Sequence, residues 1–329
     1  MPTRRRALLI LAALAGLSQL SIVLALMVGS IAIGPLDVLA TLLDGNGGVA
    51  GEVVRSLRLP RALTGFACGG LLALAGALLQ VLLRNPLADP YVLGISGGAG
   101  IGALLAIVLG LGVAGVNGLA FAGALGAMLL VFGLAHGEGG WTHSRLLLTG
   151  VIVAAGCGAV VTLMLAMAPD DRLRGMLFWL MGDLSQTGDP QLVLILLATV
   201  LLVSLPFARE LNLLARGADV AQALGVAVRP LRRGVYLVAS LATAAAVTHA
   251  GAIGFIGLIV PHLVRLATGN DQRLLLPASV LAGGSLLVIA DTLARTILAP
   301  QQLPVGVLTA LIGVPVFLFL LTRGAAGRG

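Results

Sequence analysis

The sequence predicts an all-α polytopic membrane protein, and its composition and its apolar runs support this. Of the 329 residues, 59% are hydrophobic and 10% are charged, whereas soluble domains carry about a quarter charged residues. Apolar runs of about 20 residues, the length that crosses the hydrocarbon core, recur along the chain. Lipid-exposed backbone must satisfy its own hydrogen bonds, so these runs are expected to be helical.

Ten apolar segments are expected to cross or enter the membrane, which places both termini in the cytoplasm. They lie near residues 7–33, 62–83, 91–112, 115–135, 146–168, 190–207, 235–254, 256–268, 275–296 and 304–322. The first is longer than a signal-peptide apolar region of roughly 7 to 15 residues and is expected to stay uncleaved. The eighth is too short to cross alone, and the glycines of 251–257 suggest a half-helix packed inside the protein. The whole chain, 1–329, is interpreted as one membrane domain.

The distribution of arginine agrees with this topology. All 20 basic residues are arginine. Ten spans place fourteen of them in the cytoplasm, as short loops rich in basic residues require. The other six are Arg55, Arg58, Arg61, Arg172, Arg174 and Arg295. Orientation therefore accounts for the net charge of +7, and nucleic-acid binding is not expected because aromatic residues are scarce.

The longest polar interval, Glu210–Gly234, lies in an expected cytoplasmic loop, 208–234. Within it, Gly217–Gly225 predicts a short helix with Ala221 and Leu224 on one face and a glycine at each end. Such a helix is well placed to contact a soluble partner. A solvated connector is the alternative.

The residues also exclude some kinds of chemistry. A Walker A loop needs a lysine at the phosphates, and the chain has none. The span centres carry essentially no ionisable groups, which argues against an ion-coupled carrier. Asp291 and Arg295 lie nearer a span end, with the i, i+4 spacing of an ion pair. No histidine pattern predicts a metal site, and no catalytic group is assigned. The energy for any pumping must come from another subunit.

Several sequence blocks resemble one family, the permease subunits of ABC importers for iron chelates, haem and vitamin B12, often called the FecCD family. The similar blocks are RLPR at 58–61 with GFACGGLLALAGALLQ, RNPLADP at 84–90 with LGISGGAG, SRLLLTG from Ser144, FWLMGDLS from Phe178, the Gly217–Gly225 segment, GFIGLIVPHLVR from Gly254, and LPVG from Leu303. They occur in order from about residue 55 to 322.

The resemblance implies a type II ABC importer permease fold in a bacterial inner membrane. It implies a homodimer that holds no permanent cofactor, two ATPase subunits that bind ATP and Mg, and a periplasmic substrate-binding protein. The segment Gly217–Gly225 matches the helix that couples the permease to the ATPase. The expected coupling residues are Arg216, Gly217, Asp219, Ala221, Leu224 and Gly225.

The resemblance also assigns residues at the two ends of the translocation path. Arg58, Arg61 and Arg295 match positions that pair with glutamates of the binding protein, although anchoring at lipid headgroups is an alternative. Gln302 departs from a glutamate common in the family. Arg172 and Arg174 belong to a short helix at the periplasmic mouth, and His143 and Ser144 to the inner gate.

The implied function is ATP-driven import of a metal-chelate cofactor. Haem is favoured because of the arginines at the mouth and an apolar lumen, although both features also fit the alternatives, ferric siderophore and cobalamin. An ion-coupled secondary carrier and a membrane scaffold that moves no solute are the rival functions.

Overall fold

The computed structural model describes residues 3–29, 32–44, 48–135, 143–185 and 188–326, and within these ranges the regular structure is entirely helical. The helices are α1 (Arg4–Met27), α2 (Pro35–Asp44), α3 (Gly48–Glu52), α4 (Leu59–Leu82), α5 (Ile95–Val108), α6 (Val113–Ala135), α7 (His143–Ala166), α8 (Asp170–Leu180), α9 (Gln191–Ser204), α10 (Ala208–Arg216), α11 (Ala218–Ala223), α12 (Val228–Ala250), α13 (Ile256–Thr268), α14 (Gln272–Ala294) and α15 (Val305–Ala326). A π-helical segment, Val53–Arg58, leads into α4, and 3₁₀ turns cover Pro90–Leu93 and Leu205–Phe207.

Each of the ten predicted segments corresponds to a helix. In the described part of the chain, six continuous helical segments are long and apolar enough to cross a membrane; one of them, Gly48–Leu82, contains α4, and another, Gln191–Arg216, contains α9. The shorter apolar helices are α5, α13 and the part of α15 over Val305–Leu320. The remaining segment is α12, whose first two turns carry Arg229, Arg232 and Arg233. All-helical architecture is thus confirmed, while the count of ten crossings and the side on which the termini lie stay predictions.

The region between the first two predicted spans differs from expectation. The sequence predicted no helix between residues 34 and 61, yet α2, α3 and the π-helical segment fill most of this stretch. Here α2 is amphipathic, with Val38 buried and Leu36, Leu39 and Leu43 exposed. A helix of ten residues is too short to appear in a search for membrane spans.

Helix α4 occupies the centre of the bundle. In its most apolar window 89% of residues are buried, compared with 11% for α1 and 17% for α7. It packs against α12, α13 and α14, and also against α9. The short segment expected to be a half-helix is present as α13, which has the expected bounds and follows the loop Gly251–Phe255, where Ile253 is buried. Its depth in the membrane stays a prediction.

Glycine lets α4 approach its neighbours at backbone distance. A Cβ atom on Gly69 would lie 2.3 Å from the carbonyl oxygen of Gly283 in α14. A Cβ atom on Gly76 would lie 1.9 Å from the carbonyl oxygen of Gly257 in α13. Both distances are below van der Waals contact, so only glycine fits at these crossings. The expectation that small residues pack the helices tightly is met at these two points.

We expect Gly76→Val to prevent folding of the bundle, because the new side chain would have to displace backbone rather than a side chain. Overpacking with room to adjust costs about 1–3 kcal/mol, and a backbone collision exceeds that. Gly126→Val is the matched control, since nothing lies within 4 Å of a Cβ at Gly126 in α6. The measurement is the yield of monodisperse protein and its melting temperature in detergent. Equal loss in both variants would contradict the packing argument.

Candidate functional site

The predicted short helix is present as α11, and glycines bound it on both sides. Gly217 and Gly225 adopt φ angles of 135° and 82°, in the region that favours glycine, so the chain can turn sharply before and after the helix. The amide of Ala221 donates to the carbonyl oxygen of Gly217 at 3.0 Å, and the amide of Val226 donates to that of Ala221 at 2.9 Å. The segment Gly217–Gly225 is hereafter the coupling segment.

One detail of the coupling segment was predicted wrongly. Ala221 and Leu224 were expected on one face, but Ala221 is fully buried and Leu224 is 60% exposed. The reason is that Leu224 is the C-cap of α11, where the backbone leaves the helical path. Val220, 44% exposed, joins Leu224 as an outward apolar side chain. Arg216 and Asp219 are also exposed.

The coupling segment is anchored to the core through α10. Leu211 and Leu214 of α10 are buried, so this helix is held by its apolar face. Asn212 ties it to the start of α14: its side-chain Nδ2 donates to Asp271 Oδ1 at 2.9 Å, and its Oδ1 accepts from the amide of Gln272 at 2.9 Å. These contacts connect α10, and with it the coupling segment, to the start of α14.

The three arginines predicted to dock a binding protein lie near one another, and two of them, Arg61 and Arg295, contact one carboxylate. Arg61 makes a bidentate contact with Asp291, with Nη2 2.8 Å from Oδ1 and Nε 2.9 Å from Oδ2. Asp291 is 4% exposed. The predicted pair of Asp291 with Arg295 is present at 3.9 Å, so the sequence spacing identified the weaker of the two partners. This set, Arg58, Arg61, Arg295 and Asp291, is the arginine cluster.

Two members of the arginine cluster also cap α1. Arg58 is 6% exposed, and its Nη1 donates to the carbonyl oxygens of Leu26 at 2.7 Å and Met27 at 3.1 Å. Arg295 Nη2 donates to the carbonyl oxygen of Ala25. These contacts satisfy carbonyl groups that the end of α1 leaves without helical partners. They give both arginines a structural role, and docking by the three arginines stays a prediction.

Gln302, the noted departure from the family pattern, lies at this cluster. Its Oε1 accepts a hydrogen bond from Arg61 Nη1 at 2.9 Å. A glutamate here would place a second carboxylate beside Arg61, whereas the amide supplies an acceptor without charge. The cluster of three guanidinium groups and one carboxylate therefore retains positive charge.

A cleft of about 720 Å³ opens beside α8, and we call it the mouth cleft. Arg172 and Arg174 line it, together with Phe178, Trp179 and His249, and their place at a periplasmic mouth stays a prediction. Arg172 Nη1 donates to the carbonyl oxygen of Ile107 at 2.8 Å, and the Arg174 guanidinium lies 5.6 Å from the centre of the Phe178 ring.

The mouth cleft is mixed in charge. Asp171, Asp183 and Asp189 line it beside the two arginines. Arg172 lies 3.8 Å from Asp171, and Asp183 accepts hydrogen bonds from the amide and hydroxyl of Ser185. Two guanidinium groups against three carboxylates do not give a cationic surface, so the mouth does not by itself select an anionic cargo.

The residues expected at the inner gate, His143 and Ser144, lie at the start of α7, the helix that precedes α8. The helix α7 begins at His143 and ends at Ala166, before α8. At 1.5 Å per residue its 24 residues span about 36 Å, which separates Ser144 from the mouth cleft. Ser144 is exposed. The side chain of His143 lies outside the described part of the chain.

Sequence reasoning missed a polar link between the 3₁₀ turn Pro90–Leu93 and the loop that precedes α13. Asp89 Oδ1 accepts from the amide of Tyr91 at 2.7 Å, and Tyr91 Oη accepts from the amide of Ile253 at 2.9 Å. Burial raises the pKa of Asp89 to about 6, and the hydrogen bond from Tyr91 opposes that shift. The order Asp-Pro is an N-cap signal that could have identified the first contact, but the contact with Ile253 depends on tertiary structure.

Metal-site geometry is not found in the described residues: no group of three His, Cys, Asp or Glu side chains there could hold an ion. Cys68 and Cys157 are both free.

Comparison with known proteins identifies the relatives of the chain. Residues 17–323 match the FecCD transport family. A cobalamin import system permease protein of Halobacterium salinarum is 46% identical over 82% of this chain and 73% of its own length. A hemin transport system permease protein of Yersinia pestis is 40% identical over 82% of both chains.

A solved structure shares the fold. It shows an inward-facing conformation of a metal-chelate type ABC transporter, and it superposes with a TM-score of 0.83 at 30% identity. The match covers 96% of this chain and 99% of the other.

We expect Asp291→Asn to destabilise the protein strongly, because it leaves Arg61 and Arg295 in a largely buried site without a counter-charge. Breaking a buried ion pair by removing one partner costs about 3–5 kcal/mol. Asp171→Asn is the control, because its pair with Arg172 is exposed and such pairs contribute about 0–1 kcal/mol. Thermal unfolding of both variants in detergent measures the difference. A melting temperature for Asp291→Asn equal to that of the control would contradict a stabilising role.

Proposed function

The chain belongs to the FecCD transport family, and on that premise we propose that it is the permease subunit of an ATP-binding cassette importer for a metal-chelate cofactor. The family membership, the all-helical fold and the similarity to a metal-chelate type transporter support this. The chain is not itself an enzyme in this proposal, and ATP with Mg binds to two partner ATPase subunits. The absence of lysine from the sequence agrees with that division, because a Walker A site cannot be built.

The observation that carries the proposal is the coupling segment. It presents Val220 and Leu224 as apolar side chains for a partner, while Ala221 and the neighbouring α10 fix it to the core. ATP-driven transport needs an element that passes a rigid displacement from the ATPase to the spans. The contacts of Asn212 with Asp271 and Gln272 give such a displacement a route to α14.

The remaining partners follow from the same family. We propose a homodimer with the substrate path at its axis, in a bacterial inner membrane, with ten crossings and both termini cytoplasmic. A periplasmic binding protein is proposed to dock at the arginine cluster. Arg61 is the member best placed for direct contact, because its side chain is 14% exposed and its Nη1 reaches outward to the exposed Gln302. His143 and Ser144 are proposed to lie at the inner gate.

Two cargoes are each favoured by particular observations. Phe178 and Trp179 in the mouth cleft suit the flat macrocycle of haem, and a hemin permease is among the relatives. The mixed charge of the cleft suits a cargo with a polar but neutral surface, and relatives named for cobalamin or vitamin B12 match at 39–46% identity. Ferric siderophore is the third candidate. Because three carboxylates line the cleft beside Arg172 and Arg174, the charge of these arginines does not favour haem over the other two cargoes.

An ion-coupled secondary carrier is the alternative from another class. Such carriers place ionisable groups near the bilayer midplane. In the described part of the chain the buried carboxylate of Asp291 is held by Arg61 near the start of α4, not at the middle of a span. This arrangement supports the ATP-driven proposal.

Uptake into proteoliposomes tests function and cargo together. The chain is reconstituted with its neighbouring ATPase and binding protein, and labelled haem, cobalamin and a ferric siderophore are offered with ATP or a non-hydrolysable analogue. We expect accumulation of one cargo with ATP alone. Uptake driven by an ion gradient without ATP would establish the carrier alternative.

We expect Leu224→Asp to uncouple ATP hydrolysis from uptake without unfolding the protein, because Leu224 is exposed and a carboxylate there would be buried unpaired against an apolar partner surface. ATP-driven uptake should fall at least tenfold while the melting temperature of the purified chain stays unchanged. Leu224→Met keeps an apolar side chain of similar volume and should retain uptake. Full uptake by the Leu224→Asp variant would refute the coupling assignment.

A further inference from the structure

A second polar cleft, of about 580 Å³, lies at the end of the bundle that carries the coupling segment. It lies between the ends of α4, α10 and α13 and the start of α14. Three arginines line it, Arg84, Arg216 and Arg265, and we name it the basic cleft. We propose that the basic cleft binds a phosphate-bearing anion, with the headgroup of an anionic phospholipid as its source.

None of the ion pairs found among the described residues involves Arg84, Arg216 or Arg265. Those pairs involve Arg61, Arg172 and Arg295, all at the other end of the bundle. Asp271 is the carboxylate that lines the cleft, and its Oδ1 already accepts from Asn212 Nδ2 at 2.9 Å and from the amide of Arg273 at 3.1 Å. Three guanidinium groups thus face one carboxylate whose hydrogen bonds are directed to α10 and α14.

The side chain of Arg265 and the backbone of Arg84 are held in place before any ligand arrives. Arg265 is half-buried, and its Nη2 donates to Gln80 Oε1 at 2.9 Å, while Gln80 Nε2 donates to the carbonyl oxygen of Leu258 at 3.1 Å. Arg84 has a φ angle of 49°, a left-handed conformation that costs energy for a residue other than glycine. The backbone amide of Arg84 donates a hydrogen bond to the carbonyl oxygen of Val81, at the end of α4, at 3.2 Å. This contact fixes the point from which the Arg84 side chain extends.

Guanidinium groups define the class of ligand. Their planar fork matches the oxygens of a phosphate in a bidentate contact, and charge-assisted hydrogen bonds of this kind are stronger than neutral ones. Thr268 and Asn270, which also line the cleft, can donate to further oxygens.

Position favours a lipid as the source of that phosphate. The basic cleft lies where the apolar helices α4 and α13 end and where α14 begins. The ends of apolar helices mark the depth at which the headgroup layer of a bilayer starts. Basic clusters at such positions attract anionic lipid headgroups. Guanidinium groups would also bind inorganic phosphate, so a test has to distinguish a lipid headgroup from free phosphate.

The basic cleft adjoins the coupling segment, so an occupant would act on it. Arg216 immediately precedes Gly217, and a Cβ atom on Gly217 would lie 3.9 Å from Arg84 Cζ. A phosphate that bridges Arg84, Arg216 and Arg265 would join α4 and α13 to the first residue of the coupling segment. Anionic lipid would then hold this segment against the bundle. The inference goes beyond the proposed transport function and does not depend on the cargo.

The test uses the purified full chain in detergent and measures lipid adducts by native mass spectrometry. Phosphatidylglycerol is titrated against phosphatidylcholine for the unaltered chain, Arg84→Gln, Arg265→Gln and the control Arg229→Gln. Arg229 is exposed at the same end of the bundle but does not line the cleft. We expect preferential binding of phosphatidylglycerol, weakened about tenfold in each of the first two variants, as the loss of one charge-assisted contact implies, and unchanged in the control.

Competition identifies the source of the phosphate. Displacement of phosphatidylglycerol by millimolar inorganic phosphate, with the same dependence on Arg84, would support the anion site and assign it to free phosphate. Binding that is insensitive to Arg84→Gln and Arg265→Gln, or equally reduced in Arg229→Gln, would overturn the proposal. Elution profiles and melting temperatures check folding, and Arg84→Gln alone carries the test if Arg265→Gln fails to fold. No ATPase is present, so the result is separate from that of the uptake experiment.

Discussion

The close approach of α4 to α13 and α14 is the interaction on which the rest of the structure depends. At Gly69 and Gly76 the backbones meet at distances that no Cβ atom would allow. Apolar side chains gain nothing by leaving lipid for another apolar surface, so in a membrane the close packing of small residues has to hold the helices together. This contact makes α4 the most deeply buried of the apolar spans.

Both ends of α4 carry a polar contact that the packing positions. Near its start, Arg61 reaches Asp291 of α14, and near its end, Gln80 receives a hydrogen bond from Arg265 of α13. The arginine cluster and the basic cleft therefore lie at opposite ends of one rigid helix.

The charged groups follow one physical rule. Moving a charge out of water is costly unless a partner or several hydrogen bonds compensate. Asp291 meets this rule with two arginines, and Arg58 and Arg295 meet it by capping the carbonyl groups that end α1. In the basic cleft, Arg84 and Arg216 are exposed to water, and the half-buried Arg265 donates a hydrogen bond to Gln80. The coupling segment instead exposes two apolar side chains, Val220 and Leu224, beside the exposed Asp219.

The sequence by itself determined the fold class, the approximate limits of the apolar helices, the half-helix α13 and the glycine-bounded helix α11. These features depend on local composition and on spacing along the chain, which one sequence contains. It also identified the neighbours Asp291 and Arg295, because four residues make one helical turn. Tertiary structure alone decided that Arg61, distant in sequence, is the closer partner of Asp291, and that Arg58 points inward to α1. It also decided that carboxylates offset the arginines of the mouth cleft. Contacts between helices depend on which faces meet and at what distance, and no periodicity within a single segment specifies that.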